Sequence, residues 1–420
     1  MTRILVLTNM YPPHHLGGYE LSCRDVMDRL AARGHHVAVL TTTLRLPDVE
    51  DPPGERARGI ARDLAFYWRD HVLQNPSIRR RVAIERHNQR ALRETIDAVK
   101  PEVVSAWNMG AMSLGLLATV LQRDLPLVLN VCDEWPVYGP TVDPWTRMLL
   151  SRPQLVRSVA RAIGLPAAPP DLGERATFLF VSDMIRHRVE ERSAWRPKVL
   201  SVVYSGIDRT DFPASNASMD RPEWGWRVLC AGRIDERKGT HLAIEALAGL
   251  PAEATLEIIG RGDDAYLTRL RSIAEDNGLG NRVRFDSAPR AELRTRYTAA
   301  DVALFIPTWE EPFGLVPVEA MACGTPVVAT GAGGSSEFLR DGVNCLLVPR
   351  GDAAAAAAAV RRLAENAALR ATLITGGFKT AEALDVEVLV DVLEAWHVAA
   401  AERFSRGRPP DRPKLTEMDG

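Results

Sequence analysis

Residues 3–41 read RILVLTNMYPPHHLGGYELSCRDVMDRLAARGHHVAVLT, and this stretch decides the fold class. Residues 3–8 form a continuous apolar run, which is typical of a strand buried on both faces of a parallel sheet. A loop rich in proline and glycine follows, and then a helical pattern over residues 19–33 that Gly34 ends. Residues 36–41 form a second apolar run. Strand, glycine loop, helix and strand in this order predict a βαβ unit of a doubly wound parallel sheet.

The same alternation of strands and helices continues along the chain. Residues 208–226 interrupt it with a polar, turn-rich stretch, which we interpret as a linker. Before this linker, further strands of the first series are predicted at residues 102–106, 125–131, 177–181 and 198–204. After it, a second series of strands is predicted at residues 227–231, 255–259, 282–285, 302–306 and 326–329.

These patterns predict an α/β protein with two Rossmann-like domains that face a cleft. We place the first domain at residues 1–207 and the second at residues 208–385. We expect a C-terminal helix at about residues 386–404 to pack back on the first domain. Residues 405–420 are predicted to be a disordered tail.

Composition narrows the class of protein. The chain has 420 residues and a formal net charge of −2, with 52 Lys and Arg against 54 Asp and Glu. This balance argues against nucleic acid as the main partner, because binding to phosphate backbones needs excess basic charge. Only five of the basic residues are lysines, so a well-placed lysine is more informative than an arginine. They are Lys100, Lys198, Lys238, Lys379 and Lys414.

Cysteine usage and the N-terminus bear on the compartment. The five cysteines are odd in number and widely spaced, which predicts buried thiols in a reducing compartment rather than disulfides or a zinc site. The first apolar run ends at Asn9, which is too early for a signal peptide or a membrane span. We therefore expect a cytoplasmic protein.

Two segments lie outside the simple alternation. Residues 44–100 are long and rich in arginine, and their pattern predicts a mostly helical cover over the sheet, with an acceptor-reading or partner-reading lobe as the alternative. Residues 145–164 mix apolar residues with four arginines, as a helix lying on an anionic membrane does. Pro153 interrupts that segment, so peripheral membrane contact stays open, while an exposed helix bearing arginines is the favoured interpretation.

One motif follows directly after the strand at residues 227–231. Residues 230–239 read CAGRIDERKG, in which Gly232 lets the chain turn and Arg233 and Lys238 lie five residues apart. A helix begins near Thr240, so free backbone amides accompany the two cations. Cations and amides together suit a diphosphate, although a solvated turn with incidental charges is the alternative.

A second motif follows the strand at residues 302–306. Residues 308–324 read TWEEPFGLVPVEAMACG, with Glu311 in a loop and Glu319 inside the next helix. Amides of Phe313, Gly314 and Leu315 are predicted to point out of the helix start toward an anion or a sugar hydroxyl. A carboxylate accepts hydrogen bonds from two neighbouring hydroxyls of a sugar or ribose. A surface charge at Glu311 and a salt-bridged Glu319 are the alternative, but Glu319 lies in so apolar a helix that its carboxylate needs a reason.

Together these stretches resemble retaining glycosyltransferases of the GT-B fold, of the family 4 type. Residues 308–330 look like the Glu-x7-Glu signature of that family, and GRIDERKG (232–239) is similar to its G-R-x4-K-G phosphate loop. The loop YPPHHLGGYE (11–20) resembles its N-terminal Gly-Gly loop, and VVYSGIDRTDF (202–212) its hinge segment. Residues 333–348, GGSSEFLRDGVNCLLV, match the stretch that follows the signature.

The resemblance implies a nucleotide-diphosphate sugar held mostly by the second domain. By analogy, Arg233 and Lys238 neutralise the departing diphosphate, Glu319 holds the ribose hydroxyls, and Glu311 holds the sugar with the amides of residues 313–315. Gly17 and Gly18 let the N-terminal loop approach the phosphates. Such chemistry is leaving-group stabilisation and positioning, so we expect no protein nucleophile, metal or cofactor.

The sequence departs from the family pattern at one place that bears on the acceptor. Many members have a histidine after the strand at residues 125–131, where this chain has Cys132, with Asp133 retained. A thiol does not reproduce the donor and acceptor pair of an imidazole, so His14 or His15 from the Gly-Gly loop is a candidate substitute, although we expect both to be exposed. The candidate acceptor contacts are Tyr19, Asn108, Cys132 and Asp133.

We therefore predict a retaining glycosyltransferase that moves a sugar from a nucleotide-diphosphate sugar to a hydroxyl of a small molecule, a natural product or a lipid-linked glycan. Two alternatives stay open. One is a GT-B epimerase or phosphorylase, and the other is a non-catalytic homologue that binds a nucleotide sugar or activates a partner, which Cys132 keeps open. A Rossmann dehydrogenase is poorly supported, because no G-x-G-x-x-G follows the first strand.

Overall fold

The structure is a computed structural model, and it describes residues 1–47, 49–69, 72–151, 153–215 and 223–406. The chain divides into two compact units. Unit 1 comprises Met1–Tyr204 and the chain from Leu389 onward, and unit 2 comprises Ser205–Val388. These limits differ by three residues from the boundaries that the sequence predicts at 207/208 and 385/386.

Unit 1 is built on a parallel sheet of seven strands. Most of its strands are apolar runs because a parallel sheet covered by helices buries both of its faces. The order of the strands is β3-β2-β1-β6-β7-β8-β9, and β4 and β5 form a separate antiparallel pair. The strands are β1 (Arg3–Leu7), β2 (His36–Thr42), β3 (Ile60–Leu64), β4 (Trp68–Arg69), β5 (Val72–Leu73), β6 (Val103–Ala106), β7 (Leu127–Val131), β8 (Ala176–Phe180) and β9 (Val199–Val202).

Helices connect these strands and cover the sheet. They are α1 (Gly18–Ala32), α2 (Ile78–Val99), α3 (Gly115–Gln122), α4 (Trp135–Val142), α5 (Pro144–Ser151), α6 (Pro153–Ala162), α7 (Leu172–Arg175) and α8 (Asp183–Arg192).

The prediction of a mostly helical insert at residues 44–100 is wrong in its first half. Strand β3 and the β4–β5 pair precede the long helix α2. Strand β3 escapes the apolar pattern because Arg62 lies buried within it, paired with Glu55 at 2.7 Å. The two backbone carbonyls of Tyr11 and Pro12 accept further hydrogen bonds from the same guanidinium, each at 2.9 Å. A buried arginine is tolerated here because its donors are paired.

Unit 2 has a second parallel sheet, with strand order β12-β11-β10-β13-β14-β15. Its strands are β10 (Arg227–Ala231), β11 (Thr255–Ile259), β12 (Val283–Asp286), β13 (Val302–Phe305), β14 (Val327–Ala329) and β15 (Leu346–Leu347). Its helices are α9 (Thr240–Ala248), α10 (Asp264–Asp276), α11 (Arg290–Ala299), α12 (Val316–Ala322), α13 (Ala353–Glu365) and α14 (Ala367–Ala383).

Each sheet reverses its strand order beside its first strand. In unit 1 the reversal lies between β1 and β6, and in unit 2 between β10 and β13. Connections on the two sides of such a point run in opposite directions and leave a crevice at the carboxyl ends of the strands, which is where open α/β sheets bind ligands. The topology therefore points to the loops after β1, β6, β10 and β13.

The two ends of unit 2 are joined to each other. The Ile207 amide donates to the Leu384 carbonyl at 2.9 Å, and the Val386 amide donates to the Ile207 carbonyl at 2.8 Å. Gly206 makes this approach possible, since a Cβ there would lie 2.7 Å from the Asp385 backbone. The predicted hinge segment therefore has glycine at position 206 because a side chain there would overlap the Asp385 backbone.

The last helix, α15 (Val386–Arg406), begins in unit 2 and continues in unit 1. In unit 1 the buried His397 places Nε2 2.8 Å from the Ser105 hydroxyl and Nδ1 2.5 Å from the Leu393 carbonyl. Residues 405 and 406 are helical, so the prediction of a disordered tail is wrong at these two residues, and residues 407–420 lie outside the described residues.

The structure also bears on the predicted buried thiols, the predicted linker and the absence of a predicted membrane span. Among the described residues the five cysteines are free, four of them buried and Cys132 half-buried. Of the predicted linker, residues 216–222 lie outside the described residues. No helix in the described ranges is both long enough and apolar enough to cross a bilayer.

Burial of His397 predicts a pH-dependent stability. Burial lowers the pKa of His397 from 6.5 to about 4, so between these values the unfolded chain binds a proton that the folded chain does not. Stability therefore falls as the pH falls through this window. Between neutral pH and about pH 4, we expect the unfolding free energy of His397→Leu to fall by roughly 3 kcal/mol less than that of the parent protein.

The measurement is urea unfolding at neutral pH and near the lower end of this window, followed by tryptophan fluorescence. The exposed His36 supplies the control, since His36→Gln should keep the slope of the parent protein. An equal loss of stability in His397→Leu and in the parent would contradict the assignment.

Candidate functional site

The loops after β10 and β13 lie side by side in unit 2. The Thr308 amide donates to the Arg237 carbonyl at 2.8 Å, which ties the second loop to the first. Gly239, at the end of the first loop, has φ of 72°, and a Cβ there would overlap the Ile306 carbonyl oxygen. Only glycine fits this backbone at this distance, so the GRIDERKG loop is pressed against the end of β13.

The contact between these loops brings Lys238 to Glu311. Lys238 Nζ lies 2.7 Å from Glu311 Oε2, and the indole nitrogen of Trp309 donates to the same oxygen at 3.0 Å. The side chain of Lys238 is 25% exposed and that of Glu311 is 10% exposed. The pair is therefore partly desolvated, which strengthens its attraction, yet the ammonium still reaches solvent.

Two backbone hydrogen bonds fix Glu311 on the sheet side. Its amide donates to the Ala332 carbonyl at 3.1 Å, and its carbonyl accepts from the Gly334 amide at 2.8 Å. The carboxylate is thus held by a cation and an indole, and the backbone of Glu311 is held by two hydrogen bonds. Trp309 lies in the same motif, two residues before Glu311, and its hydrogen bond to that carboxylate is a contact that the motif alone does not predict.

Arg233 lies on the same loop as Lys238 but makes a weaker contact. Its Nε is 3.7 Å from Asp235, and its side chain is 45% exposed. Asp235 is occupied mainly by Arg237, whose guanidinium holds the pKa of that carboxyl down to about 2. In the described part of the chain no hydrogen bond or ion pair joins Arg233 to Lys238 or Glu311, so its cation is available to a ligand.

Glu319 is buried inside α12, where a hydroxyl and a guanidinium meet it. The Tyr297 hydroxyl donates to Oε2 at 3.0 Å, and Arg290 Nη1 lies 3.4 Å from Oε1. Burial raises the pKa of Glu319, and Arg290 opposes that rise. Both partners lie on α11, where no sequence motif marked them, so sequence reasoning had no signal for them.

Phe313, Gly314 and Leu315 connect the two carboxylates. Phe313 is buried with its ring centroid 5.0 Å from that of Phe338. Leu315 is the N-cap residue of α12 and offers no side-chain acceptor to the first amides of the helix. This leaves the helix start to be capped by something other than its own N-cap side chain.

In unit 1 the corresponding loops follow β1 and β6. The Asn9 amide donates to the Asn108 carbonyl at 3.0 Å, which joins the two strand ends. Glu20 Oε2 accepts from the Gly17 amide at 3.0 Å and closes the start of α1, and Gly18 is exposed. A Cβ at Gly17 would meet nothing within 4 Å, so the fold of unit 1 does not itself require glycine there.

The candidate acceptor residues Tyr19, Cys132 and Asp133 lie together. The Tyr19 hydroxyl donates to the Asn130 carbonyl, and the Cys132 amide donates to that hydroxyl at 3.4 Å. Asp133 accepts from the Tyr138 hydroxyl and from the Trp135 amide, each at 2.9 Å, and burial raises its pKa. Asn108 accepts from the Gly110 amide at 3.0 Å.

The expectation that His14 and His15 are exposed is wrong. His14 is fully buried, its Nε2 lies 2.8 Å from Asp51, and its Nδ1 accepts from the Leu46 amide at 3.2 Å. His15 is half-buried. With both ring nitrogens occupied, His14 anchors the loop and does not replace the histidine that Cys132 displaces. The buried Arg62, also missed from sequence, anchors the same loop through two carbonyls.

Comparison with known proteins gives the family. A model of the glycosyl transferases group 1 matches residues 211–380, and a model of glycosyltransferase family 4 matches residues 16–211. D-inositol 3-phosphate glycosyltransferase 1 of Catenulispora acidiphila is 31% identical over 268 residues, 58% of this chain and 63% of that protein. The lipopolysaccharide core biosynthesis glycosyltransferase LpsE of Rhizobium meliloti is 38% identical over 164 residues, 39% of this chain and 47% of that protein.

Solved structures give the fold. HepE of Anabaena has a TM-score of 0.68 and 22% identity, covering 94% of this chain and 99% of its own. Sucrose-phosphate synthase of Thermosynechococcus elongatus has a TM-score of 0.71 and 22% identity. The match covers 97% of this chain and 100% of the synthase chain. With two family models that together match residues 16–380, the chain belongs to the group 1, family 4 glycosyltransferases and has their GT-B fold.

Proposed function

We propose that this chain transfers a sugar from a nucleotide-diphosphate sugar to a hydroxyl acceptor with retention of anomeric configuration. The observation that carries the proposal is the Lys238–Glu311 pair at the strand-order reversal of unit 2. A cation and a carboxylate side by side suit a ligand with a diphosphate at one end and hydroxyls at the other.

The diphosphate contacts Lys238 and Arg233. Lys238 has three donors and gives one to Glu311, so the others serve phosphate oxygens. Arg233 adds a second cation with an exposed guanidinium. In support, HepE, which has the same fold, is known in complex with UDP and with UDP-glucose.

The two glutamates bind the hydroxyls of the donor. Glu319 accepts from the ribose hydroxyls, because each of its oxygens keeps a free lone pair beside its contact with Tyr297 or Arg290. Glu311 and the amides of Phe313, Gly314 and Leu315 hold the sugar. Gly17, where a Cβ would meet nothing within 4 Å, and the exposed Gly18 are the residues we propose to lie beside the phosphates at the loop after β1.

The reaction needs no protein nucleophile. The bond between the anomeric carbon and the diphosphate oxygen breaks, and the acceptor oxygen bonds to that carbon from the same face. The acceptor proton passes to the departing diphosphate, so charge and atoms balance. Lys238 and Arg233 act by stabilising the negative charge that grows on the leaving group.

The acceptor is a hydroxyl compound bound by unit 1. Tyr19, Asn108, Cys132 and Asp133 are the residues we propose for it. Burial raises the pKa of Asp133, which favours a carboxyl that exchanges hydrogen bonds with hydroxyls over one that binds a cation. The first acceptors to test are inositol phosphates, because several relatives are named for D-inositol 3-phosphate.

The test is an activity screen of the purified chain against nucleotide-diphosphate sugars with and without acceptors. We expect transfer to an acceptor, with the product anomer matching the donor by NMR. An epimer formed without acceptor, a sugar phosphate formed with inorganic phosphate, or an inverted anomer would each overturn the proposal. Glu311→Gln is the inactive control, and parental turnover in that variant would contradict the site.

A first prediction from the proposed function concerns Lys238, the lysine that we propose contacts the diphosphate. Lys238→Ala should lower kcat/KM by about 10²–10³, as loss of one preorganised donor to a developing anion does. The exposed Lys379 on α14 supplies the matched control, since Lys379→Ala removes the same charge away from the site. Unchanged kcat/KM in Lys238→Ala would remove the diphosphate role.

A second prediction concerns the ribose. Glu319→Gln should raise the donor KM roughly tenfold with little change in kcat, because the lost hydrogen bonds form equally in ground and transition states. The parent should prefer a ribonucleotide donor over its 2′-deoxy analogue, and the variant should lose that preference. Glu365→Gln, at an exposed carboxylate of α13, is the control. A variant that keeps the parental preference would exclude ribose contact.

A further inference from the structure

One surface of unit 1 combines exposed aliphatic side chains with arginines. It is formed by the start of α2 and by α5 and α6, and we name it the basic face. Its aliphatic members are Ile78, Leu150, Leu155 and Val159, and its arginines are Arg79, Arg80, Arg147 and Arg161. None of these residues belongs to the candidate site.

Helix α6 shows how the face arises. Val156, Ala160 and Ile163 pack inward on the cluster of Trp145 and Leu149. Leu155 and Val159, each one residue earlier, fall on the adjacent stripe of the helix and are 70% and 51% exposed. Residues four apart share one face of a helix, so these two form a continuous outward stripe. The inner stripe packs on the core, whereas the outer stripe is exposed to solvent.

Helix α2 adds to the same region. Val82 packs on the Trp145 cluster, and Arg81 Nη1 lies 3.3 Å from the Pro144 carbonyl at the start of α5. Ile78 lies one turn before Val82 on the same stripe and is 64% exposed. On α5, Leu150 is 51% exposed. In the described part of the chain nine large hydrophobic residues are exposed, and four of them lie here, which is a cluster and not scatter.

The charge of this region is one-sided. Residues 144–170 contain four arginines and no acidic residue, and residues 72–84 contain three arginines and no acidic residue. Arg79, Arg80, Arg147 and Arg161 form no ion pair with any acidic side chain that the structure describes. Elsewhere arginines are commonly paired, as Arg186 is with Asp183 and Glu190. In a chain of net charge −2, this concentration of unpaired cations favours an anionic partner.

We propose that the basic face binds the surface of an anionic lipid bilayer. Aliphatic side chains on the outer stripe of short helices, flanked by arginines, are the pattern of interfacial helices, whose apolar stripe enters the headgroup boundary while the cations meet lipid phosphates. Pro153 does not break this pattern, because it begins α6, where its missing amide has no helical partner to lose.

The bilayer accounts for both halves of the face. An acidic protein surface would neutralise the arginines and leave the aliphatic stripe in water, and an apolar surface of a second copy would bury the arginines without counter-charge. The bilayer offers anionic headgroups and an apolar layer at adjacent depths. The proposal does not rest on the reaction proposed above, since it concerns a separate surface.

The test is flotation of the full chain with lipid vesicles. We expect binding to phosphatidylcholine vesicles that contain about 30 mol% phosphatidylglycerol, little binding to phosphatidylcholine alone, and release as salt screens the arginines. The variant Leu155→Gln/Arg161→Gln should reduce the bound fraction at least tenfold. The control is Val343→Gln/Arg362→Gln, which changes an exposed valine and an exposed arginine of unit 2 and should bind as the parent does.

Two further measurements keep the outcome decisive. Circular dichroism and thermal unfolding verify that the Leu155/Arg161 variant is folded, which the exposure of both side chains leads us to expect. Failure of the parent to float with anionic vesicles, or equal flotation of parent and variant, would overturn the proposal. A dimer of the parent in sedimentation equilibrium that the variant dissolves, without vesicle binding, would assign the face to a second copy instead.

Discussion

The parallel pairing of β10 with β13 holds the candidate site together, because it brings Lys238 and Glu311 within 2.7 Å across 73 residues of sequence. The pairing lies where the strand order of the sheet reverses, and the loops after the two strands are joined there by the hydrogen bond from the Thr308 amide to the Arg237 carbonyl. Gly239 then sets the closeness of that meeting. Without the glycine, the loop that carries Lys238 would stand away from β13, and the cation would lose its carboxylate.

The two glutamates of the motif differ in surroundings, and the difference matches the roles proposed for them. Both side chains are nearly inaccessible to solvent, 10% exposed for Glu311 and 8% for Glu319, but their partners differ. Glu311 is met by an ammonium and an indole, whereas Glu319 is met by a hydroxyl and a guanidinium. Burial raises the pKa of Glu319, which its Arg290 partner opposes. One motif thus supplies two carboxylates of different electrostatic character.

Most strands of both sheets could be predicted from sequence, because strands buried on both faces of a parallel sheet must be apolar throughout. Strand β3 could not, since Arg62 within it is buried by partners from other segments, Glu55 and the loop after β1. The same limit applies to the site. Lys238, Glu311 and Glu319 lie in local motifs, whereas Tyr297 and Arg290 reach Glu319 from a separate helix that only the folded chain brings near.

The hydrogen bonds that join Ile207 to Leu384 and Val386 have a consequence for how such chains diversify. Since the entry and the exit of unit 2 are paired to each other, its residues form one closed insert with adjacent ends. A genetic exchange that joins two chains at these ends would move Lys238, Glu311 and Glu319 as one cassette and leave the sheet of unit 1 unbroken. An exchange with its two junctions at Gly206 and Asp385 would therefore cut no strand of either sheet.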